Sequence, residues 1–171
     1  MEIRKAELKD KEEIYKIIQY AQAYLKEQEV PQWQNGYPSI EVITMDIVSG
    51  NNYVMVDEDK IVGSCMISFE EDKYYKVIEG QWLADKPYAV IHRIAINPKC
   101  KGKGLATEFF NFAQLQAYKN GVNYIRVDTH EKNSSMRRCI EKNGFKQCGV
   151  VYVMDNAPRI AYEKEIENEI Q

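Results

Sequence analysis

The sequence has no long apolar run, and this shortage excludes two classes of protein. No segment approaches the run of about 20 apolar residues that a membrane-spanning helix requires. Residues 1–14 are rich in charge and lack the apolar run of a secretory signal. We therefore expect neither a membrane as a partner nor an exported chain.

Cysteine and histidine are also scarce. The four cysteines form no Cys-x-x-Cys pair, and the two histidines, His92 and His130, do not stand at metal-ligand spacing from them. This pattern favours reduced thiols over a disulfide framework or a zinc site, and it indicates the cytoplasm. We expect no bound metal.

The overall amino-acid composition is that of a globular domain. Hydrophobic residues make up 44% of the 171 residues and charged residues 29%, which excludes a disordered chain. The length, without repeats or a Pro/Gly linker, predicts a single domain over residues 1–171. With 23 Lys and Arg against 26 Asp and Glu, the net charge is −3, which argues against nucleic acid as a partner.

Periodicity in the first half of the chain predicts two helices flanked by strands. Asp10 and Glu13 form a capping-box pattern that opens the first helix. Ser39 caps the second helix, and Gly50 stops it. Residues 70–87 are irregular and rich in charge and aromatics. The predicted strands are residues 1–4, 53–56 and 61–69, the last two joined by the polar turn 57–60.

The second half contains a predicted βαβ unit. Residues 88–96 are apolar on both faces, residues 104–119 repeat apolar positions at helical spacing, and residues 122–128 form another strand. The two strands of such a unit are parallel, so we predict an α/β fold with a central mixed sheet. The remaining elements are a helix at 134–142, ended by Gly144, and a hairpin of strands 145–154 and 159–166.

A basic, glycine-bearing loop joins strand 88–96 to the next helix. Gly102 and Gly104 permit close approach of the backbone, and amides at a helix start bind anionic oxygens. The pattern indicates a phosphate or pyrophosphate site, the alternative being a surface turn with solvated lysines. A Walker A loop cannot be matched, and Thr107 at the third glycine position argues against a Rossmann fingerprint. The lysines of the loop are Lys99, Lys101 and Lys103.

Residues 101–106, Lys-Gly-Lys-Gly-Leu-Ala, resemble the pyrophosphate loop of the GCN5-related N-acetyltransferase (GNAT) family, Gln/Arg-x-x-Gly-x-Gly/Ala. Residues 133–145 resemble the second signature of that family, Asn-x-x-Ala-x-x-(apolar)-Tyr-x-Lys-x-Gly-Phe. The resemblance implies the acyl-CoA N-acyltransferase fold, with strands 88–96 and 122–128 splayed around acetyl-CoA and helices on both faces of the sheet. A homodimer would suit the family. The implied cofactor-binding residues are Ile94, Ala95, Ile96, Lys101, Gly102, Lys103, Gly104, Leu105, Ala106, Thr107 and Asn133.

The activity that the resemblance implies is acetyl transfer from acetyl-CoA to a primary amine. In the family a tyrosine often protonates the departing thiolate, but Ile140 stands at that position here. Tyr152 and Tyr162 are candidate substitutes, or ordinary strand core residues. The alternative function is a catalytically silent acyl-CoA sensor of the same fold. The sequence does not indicate which amine is the acceptor.

Asp128 and His92 are the candidate general bases. Asp128 ends strand 122–128, five residues before Asn133, where some family members carry a catalytic Glu. Alternation puts Asp128 on the face of the strand that carries Tyr124 and Arg126. It could equally cap the strand end, and His92 could be a buried, hydrogen-bonded histidine. We expect His130 to be exposed.

Overall fold

The computed structural model describes residues 1–166, which form eight strands and four α-helices. The chain divides into two compact units. The first unit comprises residues 1–67 and 92–109. The second unit comprises residues 68–91 and the described residues from 110 onward.

Helices and strands are mixed along the chain, and β5, α3 and β6 form the predicted βαβ unit. The hydrogen-bonded strand order is β1-β2-β3-β5-β6-β8-β7-β4, a mixed sheet that confirms the predicted class. The elements are β1 (Glu2–Lys5), α1 (Lys11–Glu27), α2 (Ile40–Val48), β2 (Asn52–Asp57), β3 (Lys60–Ser68), β4 (Glu79–Gly80), β5 (Ala89–Ile96), α3 (Leu105–Lys119), β6 (Tyr124–Thr129), α4 (Ser134–Lys142), β7 (Lys146–Val153) and β8 (Ala157–Glu165).

In the first unit, α1 and α2 share one apolar core with β2, β3 and β5. The buried residues of α1 recur at helical spacing on one face, and they are Ile14, Ile17, Ile18 and Leu25. Strands β2 and β3 are joined through Glu58 and Asp59, both at positive φ (48° and 64°), as a two-residue hairpin turn requires. The core residues are Ile14, Ile17, Ile18, Ile43, Ile47, Val54, Ile61 and Ala95.

The predicted capping box of Asp10 and Glu13 is wrong. A 3-10 turn over Leu8–Asp10 precedes α1, and the Asp10 side chain makes no cap hydrogen bond to α1. Its carboxylate instead accepts from the Glu7 N–H and from Arg4 Nη1, both at 2.8 Å. The hydrogen bond from Arg4 lowers the pKa of Asp10, and burial opposes that shift. Asp10 therefore caps the earlier turn.

In the second unit, β5 and β6 are parallel, as the βαβ prediction requires. Ala89 pairs with Ile125 and Val90 with Arg126, and both strands continue beyond these two pairs. Strands β6, β8, β7 and β4 then pair antiparallel. Strand β4 is a two-residue edge strand, joined to β7 where Gly80 lies opposite Gly149. A Cβ on either glycine would collide with the backbone of the other strand.

We propose that the two units unfold as one domain, because β5 and α3 each contribute residues to both. Trp33 lies in the first unit and Trp82 in the second, and they are the only tryptophans of the chain. We expect Trp33→Phe and Trp82→Phe each to unfold in urea with one midpoint, identical by fluorescence and by far-UV circular dichroism. A fluorescence midpoint that departs from the circular dichroism midpoint in either variant would contradict this proposal.

Candidate active site

The loop between β5 and α3 takes its shape from two glycines in the left-handed region. Gly102 has a φ of +81° and Gly104 a φ of +73°. A Cβ at either position would meet no protein atom within 4 Å. Backbone conformation, rather than crowding by the protein, is therefore what requires glycine here. Helix α3 begins at Leu105, directly after Gly104.

The loop presents backbone amides and lysines together. The start of α3 offers amide groups without acceptors inside the helix, which carry partial positive charge. Lys99 and Lys103 are exposed. The Lys101 ammonium lies 3.0 Å from the centroid of the Tyr24 ring, a contact that the sequence did not indicate. Burial lowers the pKa of Lys101. The loop has the chemistry of an anion site.

Strand β5 carries a strained residue just before the predicted cofactor-binding positions. Arg93 has a φ of +53°, a conformation that costs a non-glycine residue about 1–2 kcal/mol. Its guanidinium donates to both carboxylate oxygens of Asp46, each at 2.7 Å, and to the Tyr37 hydroxyl at 2.8 Å. These bonds hold the strand against α2 and the segment before it. Of the next three residues, Ala95 is buried and the other two are half-buried.

Asp128 lies in β6, in the second unit, and its partner is a buried tyrosine. The Tyr75 hydroxyl donates to Asp128 Oδ2 at 2.5 Å. Burial and the charge of Asp128 raise the pKa of Tyr75 well above its usual value, so the phenol remains the proton donor. Tyr75 could not be singled out from the sequence, because nothing local in residues 70–87 distinguishes it from the neighbouring aromatics.

The face of β6 predicted from alternation is confirmed by its contacts. Beside Asp128, the Arg126 guanidinium lies between the rings of Trp82 and Tyr88, 4.0 and 3.9 Å from their centroids. It also donates to Glu163 Oε2 at 2.6 Å, and Glu163 is completely buried. The other Glu163 oxygen accepts the N–H of Leu83 at 2.7 Å, and Arg126 donates to the Ala84 carbonyl at 3.0 Å.

The position at which the resembling family often has tyrosine is part of the core here. Ile140 is completely buried. Of the candidate substitutes, Tyr162 is also fully buried, and its hydroxyl accepts from Arg137 Nε at 2.9 Å and bonds Glu141 at 3.2 Å. Tyr152 is 36% exposed and donates to Glu79 at 3.1 Å. Both phenols are thus engaged with charged side chains.

The histidines and Asn133 have different surroundings. His92 is half-buried in β5. The expected exposure of His130 is wrong: it is 8% exposed, because it turns inward after β6 and its Nδ1 accepts the Lys132 N–H at 3.0 Å. Burial lowers the pKa of His130. Asn133 caps α4 by accepting the Met136 N–H at 3.3 Å.

Residues 1–166 contain neither a metal-binding cluster nor a helix that could span a membrane. No cluster of three or more His, Cys, Asp or Glu side chains is arranged to hold a metal ion there. In the same range, no helix combines the length and apolar content of a membrane span.

The sequence pattern of the Acetyltransferase (GNAT) family matches residues 15–145. An acetyltransferase of the GNAT family from Streptococcus agalactiae 2603 is 33% identical, with a TM-score of 0.85 over 97% of this chain and 95% of that one. The structure of a putative acetyltransferase from Staphylococcus aureus Mu50 is 25% identical in sequence, with a TM-score of 0.75. The match covers 98% of this chain and 100% of that one. No curated protein matches the chain. Both segments that carry the resemblance lie inside the matched range, and the predicted fold is confirmed.

Proposed function

Because the chain belongs to the acetyltransferase (GNAT) family, we propose that it transfers the acetyl group of acetyl-CoA to a primary amine. The observation that carries the proposal is the loop before α3, where two glycines at positive φ precede a helix start and lysines flank them. A pyrophosphate requires this combination of close backbone approach and positive charge. The cytoplasm is the proposed location, and a homodimer is the proposed assembly.

We assign the cofactor to backbone groups of β5 and of the loop. The amides and carbonyls of residues 94–96 would pair with the pantetheine arm as an added strand does. Residues 101–107 would hold the pyrophosphate, and Asn133 would lie nearby. The strain at Arg93 supports a special role for this part of β5, since strained backbone clusters at functional sites.

In the proposed reaction, the amine nitrogen attacks the thioester carbonyl carbon and the carbon–sulfur bond breaks. Asp128 accepts the proton that the amine loses, directly or through one water, and later releases it to solvent, while the CoA sulfur leaves as a thiolate that takes one proton from solvent. The place of Asp128 near the end of β6, five residues before Asn133, supports this assignment. His92 is the second candidate base, and it lies next to Arg93 in β5.

The alternative function is an acyl-CoA-binding module without activity. It is favoured by the buried Ile140, which supplies no proton at the position where the family often has tyrosine. Turnover decides between the two functions. We would measure CoA release from acetyl-CoA with a thiol reagent, offering a peptide N-terminus, a lysine peptide, a polyamine, an aminoglycoside and small metabolite amines. If the chain binds CoA but releases no CoA from acetyl-CoA with each of these amines, the binding module is favoured.

We predict that Gly104→Val abolishes CoA binding, lowering the affinity at least about 100-fold, because a branched side chain would stand where the pyrophosphate approaches the backbone. The control is Gly121→Val, since Gly121 has a similar φ (+70°) and an equally open Cβ position after α3. Both variants carry the same backbone strain, but only the first should lose binding in calorimetry. Unchanged CoA affinity in Gly104→Val would refute the cofactor site.

A further inference from the structure

We propose that Tyr75 is a positioning residue that fixes the carboxylate of Asp128 for the transfer step. The inference rests on the proposed role of Asp128 as general base. Its basis is the hydrogen bond from the Tyr75 hydroxyl to Asp128 Oδ2, at 2.5 Å. An aspartate carboxylate on a strand can rotate about χ1 and χ2. Fixing one carboxylate oxygen also fixes the direction of the other.

Tyr75 can act in this way because its own ring is immobilised. The side chain is 2% exposed, and its ring centroid lies 5.1 Å from that of Trp82 and 6.2 Å from that of Tyr88. Its backbone N–H donates to the Asp72 carbonyl at 3.0 Å. Its carbonyl accepts the Trp82 indole N–H, also at 3.0 Å. The donor is therefore rigid on both its ring and its backbone.

The direction of the hydrogen bond matters for the chemistry. Because the phenol keeps its proton, Asp128 is the acceptor in this pair, as a base awaiting an amine proton must be. The pair also connects the irregular stretch 70–87 to β6. Through Tyr75, that stretch would contribute to the reaction.

The test is Tyr75→Phe, which retains the ring and removes the hydroxyl. We expect kcat to fall about tenfold while the KM for acetyl-CoA is unchanged, because an oriented hydrogen bond to a charged group is lost. The double variant Tyr75→Phe/Asp128→Asn should be no slower than Asp128→Asn alone, because both changes act through one carboxylate. Each kcat is calculated from the concentration of CoA-binding sites that calorimetry measures, so that misfolded protein does not lower the kcat.

The matched control is Tyr124→Phe. Tyr124 lies on the same face of β6, and its hydroxyl bonds the carboxylate of Glu165, so this variant loses the same kind of bond away from Asp128. Its kcat should equal that of the wild type. A normal kcat in Tyr75→Phe, or multiplicative losses in the double variant, would overturn the inference while leaving the acetyltransferase function intact. A wild-type chain without turnover would overturn the proposed function, and the inference with it.

Discussion

Replacing Asp128 with asparagine should lower kcat about 100-fold, a loss typical of a missing general base. The amide has nearly the same shape, and its oxygen can still accept the Tyr75 hydroxyl, so CoA affinity should not change. The loss should be greatest at low pH, where unprotonated amine is scarce and a base is most needed. The measurement is kcat against pH for the wild type and the variant, with the amine identified by the panel.

Asp85→Asn is the control for this prediction, because it makes the same change of charge at an exposed position of the stretch 70–87. It should keep the wild-type pH profile. A near-normal kcat in Asp128→Asn across the pH range would remove Asp128 from the mechanism. His92→Gln would then be compared in the same way, and a loss in that variant would transfer the role of base to His92.

Replacing Arg126 with methionine should lower the free energy of unfolding by about 3–5 kcal/mol, the cost of leaving a buried charge without its partner. Glu163 is completely buried, and Arg126 Nε donates to it at 2.6 Å. The variant also loses the contacts of the guanidinium with Trp82 and Tyr88. Urea denaturation measures the change.

Lys9→Met is the control, because Lys9 pairs with Glu7 at 3.1 Å on the surface, where an ion pair contributes at most about 1 kcal/mol. Adding Glu163→Gln to Arg126→Met should recover part of the stability, since glutamine is neutral and can still accept the Leu83 N–H. If Arg126→Met were no less stable than Lys9→Met, the ion pair would not be what stabilises this part of the fold.

Elements with local signals were predictable. Helix α4 has the predicted bounds because Asn133 caps its start and Gly144, at a φ of +86°, follows its end. The parallel pairing of β5 with β6 follows from the crossover helix between them. The shape of the glycine loop was predictable because glycine is the residue type that favours a positive φ, and the use of the loop as an anion site stays a prediction.

Features that depend on distant residues were not predictable. Tyr75 and Asp128 are 53 residues apart, and no periodicity links them. Asp10 has the spacing of a capping box with Glu13, but Arg4 competes for its carboxylate. His130 follows a strand in a polar stretch, which predicts exposure, whereas tertiary packing buries it. In each case the deciding partner comes from another element.

Arg93 combines a left-handed backbone with a bidentate side-chain contact, and neither glycine nor lysine would retain both features. Glycine would suit the left-handed backbone, but it would leave the Asp46 carboxylate without its bidentate partner. Lysine would keep the charge but not the planar fork that engages both Asp46 oxygens and Tyr37. The strained backbone of β5 is therefore held by the contacts of a long side chain, and a search for glycine or proline in the strand would not detect it.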